Sequence, residues 1–196
     1  MNIKKIAKKF YTEIRYSNLR GLFYHFKFKG SGERLHIGHK CRIKTPSQIH
    51  VGNDVIIDDY AELLVHDDNG NHATLTLGDH VHISKYNCIG CSFKITLEDH
   101  VRLAPYVHIT DRNHTYEDVN QPIWKQPIKT REVFIGRESW LGFGVQIMPG
   151  VNIGRHCIIA AGSIVTHNIP DYSVAAGNPA KVVKKYNLDK KIWERI

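Results

Sequence analysis

Aliphatic residues return every six positions along much of this chain. The clearest run is formed by Ile135, Leu141, Ile147, Ile153, Ile159 and Val165. An amphipathic helix would repeat its apolar residues three and four apart, and a half-buried strand would alternate them. A six-residue return instead fits a short strand that points one aliphatic side chain inward and then turns at a small residue. Three such strands complete one triangular coil, so the pattern predicts stacked coils of a repeat protein.

The same register extends through the earlier chain. Comparable hexads open at Ile37-Gly38, Val51-Gly52, Ile57-Asp58, Leu77-Gly78, Ile83-Ser84, Ile89-Gly90, Leu97-Glu98 and Leu103-Ala104. This pattern, over residues 35–184, resembles the hexapeptide-repeat acyltransferases. The resemblance implies an all-β solenoid, specifically a left-handed parallel β-helix. Its left hand is an exception to the usual right-handed crossover and comes from the resemblance alone.

The two ends of the chain depart from the repeat. Residues 1–34 place apolar side chains at helical spacing with lysines on the other face, which predicts a basic amphipathic N-terminal helical segment. This segment either caps the first coil or rests on an anionic membrane surface, through residues 1–30. Apolar residues also punctuate the basic C-terminal end, so residues 185–196 are predicted to form a helix that covers the last coil.

Regularity breaks once, at a polar, proline-bearing loop over residues 110–133, which is too long for a simple connector. The loop precedes the hexads at Trp140-Leu141-Gly142 and contains His114, an arrangement that resembles the maltose and galactoside O-acetyltransferases. The resemblance implies that His114 is the general base and that Asn87 and Trp140 lie at the acceptor and acetyl group. Asp111 is a further substrate-site candidate.

The chemistry expected of this loop can be argued from the residues. A sugar hydroxyl is a weak nucleophile and a thioester is an activated donor, so the catalyst needs above all a base at the hydroxyl, which an imidazole can supply. Asp111 or Glu117 would orient that imidazole, and Asn87 or a backbone N–H would stabilise the oxyanion. The competing interpretation is that His114 is one ordinary loop histidine among 13 in the chain.

The resemblance further implies that acetyl-CoA lies along the C-terminal coils. The candidate contacts are Gly142, Phe143 and Ala161 at the pantetheine arm, Thr166 and His167 near the adenine end, and Lys181 and Lys184 at the phosphates. His167 replaces a lysine that is common in the resembling enzymes. The two lysines are equally well explained as a solvated tail. The closing residues 184–196 look more particularly like bacterial lipopolysaccharide and capsule O-acetyltransferases, and the family implies a homotrimer.

Composition and charge narrow the partners, cofactors and location that we expect for this protein. The net charge of +8 comes without any recognisable nucleic-acid motif, so nucleic acid is not an expected partner. A lone Cys-x-x-Cys pair, Cys88 and Cys91, is weak evidence for a metal or disulfide, and we expect four reduced thiols and no metal. Neither a signal peptide nor a transmembrane helix is apparent, which favours a cytoplasmic protein that can lie at the inner face of the membrane.

These observations predict an acetyl-CoA-dependent O-acetyltransferase that acts on a sugar hydroxyl in surface polysaccharide or lipopolysaccharide biosynthesis. Two alternatives remain open at this point: an N-acetyltransferase for a nucleotide-linked amino sugar, and a non-catalytic β-helical scaffold. A zinc hydratase of the γ-carbonic anhydrase type is a more distant third, because the close histidine pair of that class has no counterpart in this sequence.

Overall fold

Most strands of this chain pair in parallel with the strand three places further along, as the six-residue pattern requires. The computed structural model describes residues 18–66 and 72–196. The first parallel sheet contains β1 (Gly30–Ser31), β4 (Ile49–Val51), β7 (Thr74–Leu77), β10 (Lys94–Leu97), β15 (Val133–Ile135) and β18 (Asn152–Ile153). The third sheet contains β3 (Arg42–Lys44), β6 (Glu62–Val65), β9 (Cys88–Cys91), β12 (His108–Thr110), β17 (Gln146–Ile147) and β20 (Ile164–Val165).

The second sheet is the longest and carries the C-terminal end of the chain. Its parallel strands are β2 (His36–Ile37), β5 (Ile56–Ile57), β8 (His82–Ile83), β11 (Arg102–Leu103), β16 (Trp140–Leu141), β19 (Ile158–Ile159) and β21 (Ser173–Gly177). Two antiparallel strands, β22 (Ala180–Asn187) and β23 (Ile192–Arg195), complete it. Because successive strands visit the three sheets in turn, the chain forms three-faced coils.

The aliphatic residues of the hexads fill the space between the three sheets. Ile37, Ile83, Ile135 and Ile159 are fully buried, as are their equivalents in the other coils. The prediction of inward aliphatic positions is therefore confirmed. Coils hold each other through backbone hydrogen bonds, for example from Gly136 N to Ile153 O at 2.8 Å.

The corners between faces use backbone conformations that L-residues rarely adopt. Four residues at these corners are exposed and have φ between 52° and 61°: Lys40, His80, His100 and His156. Such left-handed positions cost free energy for any residue with a Cβ atom. The corner histidines thus belong to turns, and among the described residues no group of three or more metal-ligating side chains is gathered.

At the N-terminal end, helix α1 (Leu19–His25) lies on the first coil. The predicted apolar positions before it, from Ile3 to Ile14, lie outside the described residues. The first strand begins at Gly30, inside the predicted N-terminal segment. No helix in the described ranges is long and apolar enough to cross a bilayer.

The predicted C-terminal helix is wrong: residues 180–195 form the hairpin of β22 and β23. The open edge of the second sheet presents unpaired backbone groups, which an added strand satisfies and a helix would not. Gly177, at φ 105°, lets the chain reverse between β21 and β22. Tyr186 then pairs across the hairpin with Trp193, with ring centroids 5.3 Å apart.

Candidate active site

The polar break in the repeat over residues 110–133 contains a β-hairpin arm rather than only irregular loop. Strand β13 (Arg112–His114) pairs in antiparallel register with β14 (Ile128–Thr130), so that His114 lies opposite Ile128. A 3₁₀ turn at Ile123–Lys125 closes part of the far end. Because the arm follows β12 and leads into β15, it projects from the corner between the third and first sheets.

Asp111 fixes the base of this arm. The residue is fully buried, and its carboxylate accepts hydrogen bonds from the backbone N–H groups of Ser92, Phe93 and Lys94 at 2.8–2.9 Å. Its carbonyl oxygen accepts another from Arg131 N at 2.8 Å on the returning strand. The carboxylate that we expected to touch substrate or orient the imidazole is thus engaged by the preceding coil. Its role in this geometry is to hold the arm.

His114 stands at the end of β13 and is exposed. Its imidazole makes no hydrogen bond to the described residues. It lines a groove of about 360 Å³ between the arm and the coil, whose walls are Asn113, Thr115, Tyr116, Glu117, Lys129, Arg131, Met148, Pro149 and Thr166. An exposed, unengaged imidazole in a groove can accept a proton from a bound hydroxyl.

Two cations in the groove were not singled out in the sequence. Lys129 Nζ donates to Glu117 Oε1 at 2.6 Å, and this contact, with the backbone N–H groups of Glu117 and Tyr116, lowers the pKa of Glu117 to about 2. Arg131 lies with its aliphatic stem over Gly150, where an added Cβ would be 2.9 Å from Arg131 Cδ. The alternation of these basic residues along the second arm strand is the signal that could have indicated them.

Asn87 and Trp140 lie apart from the groove residues. Asn87 is buried in a coil corner, where its Nδ2 donates to Ser84 O at 2.8 Å and its Oδ1 accepts from Val107 N at 2.6 Å. Trp140 begins β16 in the second sheet and is 51% exposed. The structure therefore places Trp140 on a different face of the coil from the arm, and Asn87 within the coil itself.

The residues expected at the pantetheine arm occupy two stacked corners. Gly142 lies against the next coil so closely that a Cβ would be 2.8 Å from Ala161 N. Gly162 N donates to Phe143 O at 2.8 Å, which ties the two corners together. The Phe143 side chain is 55% exposed and tilts against Tyr106, with centroids 5.2 Å apart. Ala161 is exposed beside the Phe143 ring, whereas Gly142 is buried between the two coils.

The remaining cofactor candidates divide between two places. Thr166 lines the His114 groove, and its Oγ1 lies 2.8 Å from Nδ1 of the neighbouring His167. Lys181 and Lys184 instead belong to β22, where Lys181 is exposed and Lys184 is paired in register with Arg195. The structure brings Thr166 to the base candidate, but not the two lysines.

All four cysteines are free thiols. Burial raises the pKa of Cys41, Cys88, Cys91 and Cys157. The Asp111 carboxylate raises that of Cys91 further. Since the thiolate is the nucleophile, these cysteines are poorly suited to form an acyl-enzyme.

Comparison with known proteins supplies a second line of evidence. Residues 132–167 match the family model for the bacterial transferase hexapeptide (six repeats). A Mycobacterium tuberculosis protein assigned as an acetyltransferase is 34% identical over 167 residues, covering 85% of this chain and 51% of that protein. The Escherichia coli protein WbbJ, assigned as an O-acetyl transferase of lipopolysaccharide biosynthesis, is 35% identical over 60% of this chain and 63% of its own length. This chain thus spans half to two thirds of these relatives.

A third relative and two solved structures extend the likeness. The galactoside O-acetyltransferase of Lactococcus lactis is 38% identical over 50% of this chain and 51% of its own length. The N-acyltransferase AntD from Bacillus cereus, solved with dTDP and 3-hydroxybutyryl-CoA, superposes with a TM-score of 0.71 at 22% identity, covering 87% of this chain and 90% of AntD. A Vibrio cholerae hexapeptide-repeat acetyltransferase solved with acetyl coenzyme A gives 0.60 at 17% identity, covering 92% and 86%. At these identities the two structures support the fold alone.

Proposed function

We propose that this chain transfers an acetyl group from acetyl-CoA to a sugar hydroxyl, because residues 132–167 match the bacterial transferase hexapeptide model and two of its relatives are described as O-acetyltransferases. The observation that carries the proposal is the exposed, unengaged imidazole of His114 in the groove beneath the arm. With the family we also infer left-handed coils, a homotrimer and a cytoplasmic reaction, which the free thiols fit.

His114 acts as the general base in the proposed reaction. The imidazole accepts the proton of the sugar hydroxyl while the hydroxyl oxygen attacks the thioester carbonyl carbon. When the tetrahedral intermediate collapses, the carbon–sulfur bond breaks, and the proton held by the imidazole passes to the departing thiolate. No enzyme-bound acyl group is formed, in keeping with the raised pKa values of the four cysteines.

We propose that the thioester donor lies along the stacked corners. Ala161 is exposed there and Phe143 offers an aromatic wall, while Gly142 is buried and allows the two coils to pack closely. Thr166, which follows Ala161 in the chain, lines the groove of His114. We propose that the acceptor enters beside the arm. There Lys129 is paired with Glu117, and the charge of Arg131 would favour an acidic or phosphorylated glycan. An acceptor in lipopolysaccharide or capsule biosynthesis has these features.

The proposal of an oxygen acceptor rests on the sequence relatives. WbbJ and the galactoside enzyme, both described as O-acetyltransferases, are 35% and 38% identical to this chain over the aligned parts. The N-acyltransferases among the solved structures, such as AntD at 22% identity, support the fold only. Transfer to an amino sugar is accordingly the second candidate.

The test is thiol release from acetyl-CoA with a panel of sugar acceptors, comparing wild type, His114→Ala and the control His39→Ala. His39 is an exposed histidine on the first coil, outside the groove. We expect acceptor-dependent release that falls by about 100-fold or more in His114→Ala, with coenzyme A binding retained, and no change in His39→Ala. Equal turnover by all three proteins would show that His114 is not the base.

The product distinguishes the two acceptors. Hydroxylamine converts an acetyl ester into acetohydroxamate but leaves an amide intact. Hydroxamate formation would establish O-acetylation, and its absence from an acetylated product would establish the amino-sugar alternative. A chain that binds no acetyl-CoA would favour the scaffold interpretation.

A further inference from the structure

Helix α1 (Leu19–His25) has two faces with opposite surroundings. Its inner face is fixed on the first coil: Gly21 packs so tightly that a Cβ would be 1.9 Å from Leu35 O, and Tyr24 stacks on the buried Phe28 with centroids 5.7 Å apart. Asn18 caps the helix by accepting from Gly21 N at 2.8 Å and also bonds to the backbone of Ile37. The inner face therefore serves as a cap for the coil.

The outer face of the same helix is apolar, and no residue in the described part of the chain covers it. Leu19, Phe23 and Phe26 follow one another at four- and three-residue spacing and are 86%, 56% and 85% exposed. Since the inner face is packed on the first coil, these side chains could turn inward only if the helix left that coil. Lys27 Nζ lies 4.1 Å from the centroid of the Phe23 ring, so its charge stands over the patch. We call these three side chains the α1 patch.

The positive charge of the chain is concentrated in the first 30 residues of the sequence, which include helix α1. Residues 1–30 contain eight Lys or Arg and a single acidic residue, Glu13, which gives them +7 of the total net charge of +8. The remaining 166 residues are nearly neutral, with 19 basic and 18 acidic residues. In the coil stack, by contrast, basic and acidic residues are nearly balanced and several form ion pairs, as Arg34 does with Asp54.

We propose that the α1 patch and its basic surroundings dock the protein on an anionic lipid bilayer. Exposed aromatic and leucine side chains beside lysines are the composition that lies at the boundary between headgroups and acyl chains. Lys27 and Lys29 would extend to the lipid phosphates while the apolar side chains enter the boundary. A nucleic acid would use the charge but would gain nothing from Leu19 and Phe26, which is why we favour the membrane.

The test is co-sedimentation of the full chain with vesicles of phosphatidylcholine containing about one third phosphatidylglycerol. The variant is Phe23→Ser/Phe26→Ser, and the matched control is Leu188→Ser/Ile196→Ser, which removes two apolar side chains that are 63% and 76% exposed on the C-terminal segment. We expect wild type and control to bind equally, the α1 variant to bind at least about tenfold more weakly, and binding to fall at high salt.

Three results would overturn the proposal. One is equal vesicle binding by the α1 variant and the control. Another is unchanged binding combined with a lower melting temperature of the α1 variant, which would mean that the patch is covered by the chain itself. A third is binding to a single-stranded RNA oligonucleotide in the absence of vesicle binding. His114→Ala should bind vesicles like wild type, so the docking proposal and the acetyl-transfer proposal can fail separately.

Discussion

At the scale of single residues, Asp111 decides where the candidate base stands. Its buried carboxylate holds three backbone N–H groups of the preceding coil, while its backbone receives the returning arm strand. Asp111→Ala would leave three donors without an acceptor and should destabilise the protein by about 3 kcal/mol, with loss of acetyl transfer as the arm loosens. Asp111→Asn keeps one acceptor oxygen and should cost less.

The matched control for Asp111 is Glu132→Ala, where the arm returns to the coil stack. Glu132 is paired with Lys94 at 2.8 Å, but both side chains are about half exposed, at 43% and 50%. An exposed pair of this kind contributes less than about 1 kcal/mol. Urea unfolding measures both variants, and similar losses for Asp111→Ala and Glu132→Ala would contradict the clamp role.

Glu117 provides a pH prediction for the arm. Its pair with Lys129 holds the folded pKa at about 2, below the ordinary glutamate value. Because the folded pKa is depressed, the pair is intact above the ordinary value and is lost as the pH falls toward 2. A carboxyl-carbon NMR titration should show this midpoint, and Lys129→Met should raise it by more than about one unit. A midpoint unchanged by Lys129→Met would contradict the pairing.

The low pKa of Glu117 also limits which group can set the pH dependence of acetyl transfer. Since Glu117 stays ionised through the neutral range, an acid limb of acetyl transfer between about pH 5 and 8 would have to come from a histidine. Glu117→Gln should leave the position of that limb unchanged. A limb that moves in this variant would mean that Glu117 is coupled to the base.

At the scale of elements, the corners of the coil form stacked columns. Tyr86 lies between Tyr60 and Tyr106, with ring centroids 5.0 and 4.9 Å away, and its φ of 61° is left-handed. Tyr86→Ala should lose both stacking contacts, or about 2 kcal/mol. Tyr86→Gly loses the same contacts but removes the strain, and should be more stable than Tyr86→Ala by about 1 kcal/mol.

Tyr116 on the arm is the comparison site for this prediction. It is 72% exposed and is not among the residues with positive φ. Alanine should therefore be at least as stable as glycine there, the reverse of the order at Tyr86. Thermal unfolding of the four variants measures both orders, and the same order at both sites would mean that the corner conformation is not strained.

The elements also show what could be predicted from the sequence. The burial of the hexad aliphatic residues could be predicted, because their six-residue spacing follows directly from the three-sheet coil. This relation depends only on neighbouring residues in the sequence. The C-terminal hairpin was not predictable from the apolar spacing of Val182, Val183 and Tyr186, since the unpaired sheet edge that recruits β22 is built by distant residues. Asp111 was chosen as a site residue for its place in the chain, but its hydrogen bonds depend on a coil that precedes it by 17–19 residues.

At the scale of the whole molecule, one chain does not bring together the residues expected at the acetyl group. His114 lies on the arm at the corner between the third and first sheets, while Trp140 lies on the second sheet. If both act in one site, that site is completed by a neighbouring copy, as cyclic trimers allow. The expected assembly has three times the chain mass of 22.5 kDa, which light scattering can measure.

Mixed assemblies test this arrangement directly. His114→Ala and Trp140→Ala should each be nearly inactive, but subunits mixed by unfolding and refolding together should regain about a quarter of wild-type turnover. In a random trimer, that is the fraction of interfaces where an intact His114 meets an intact Trp140 from the next copy. Variants refolded separately and then combined are the control and should stay inactive. No recovery in the co-refolded mixture, with trimers formed, would mean that each site is built within one chain. Full turnover by Trp140→Ala alone would mean that Trp140 takes no part in the site.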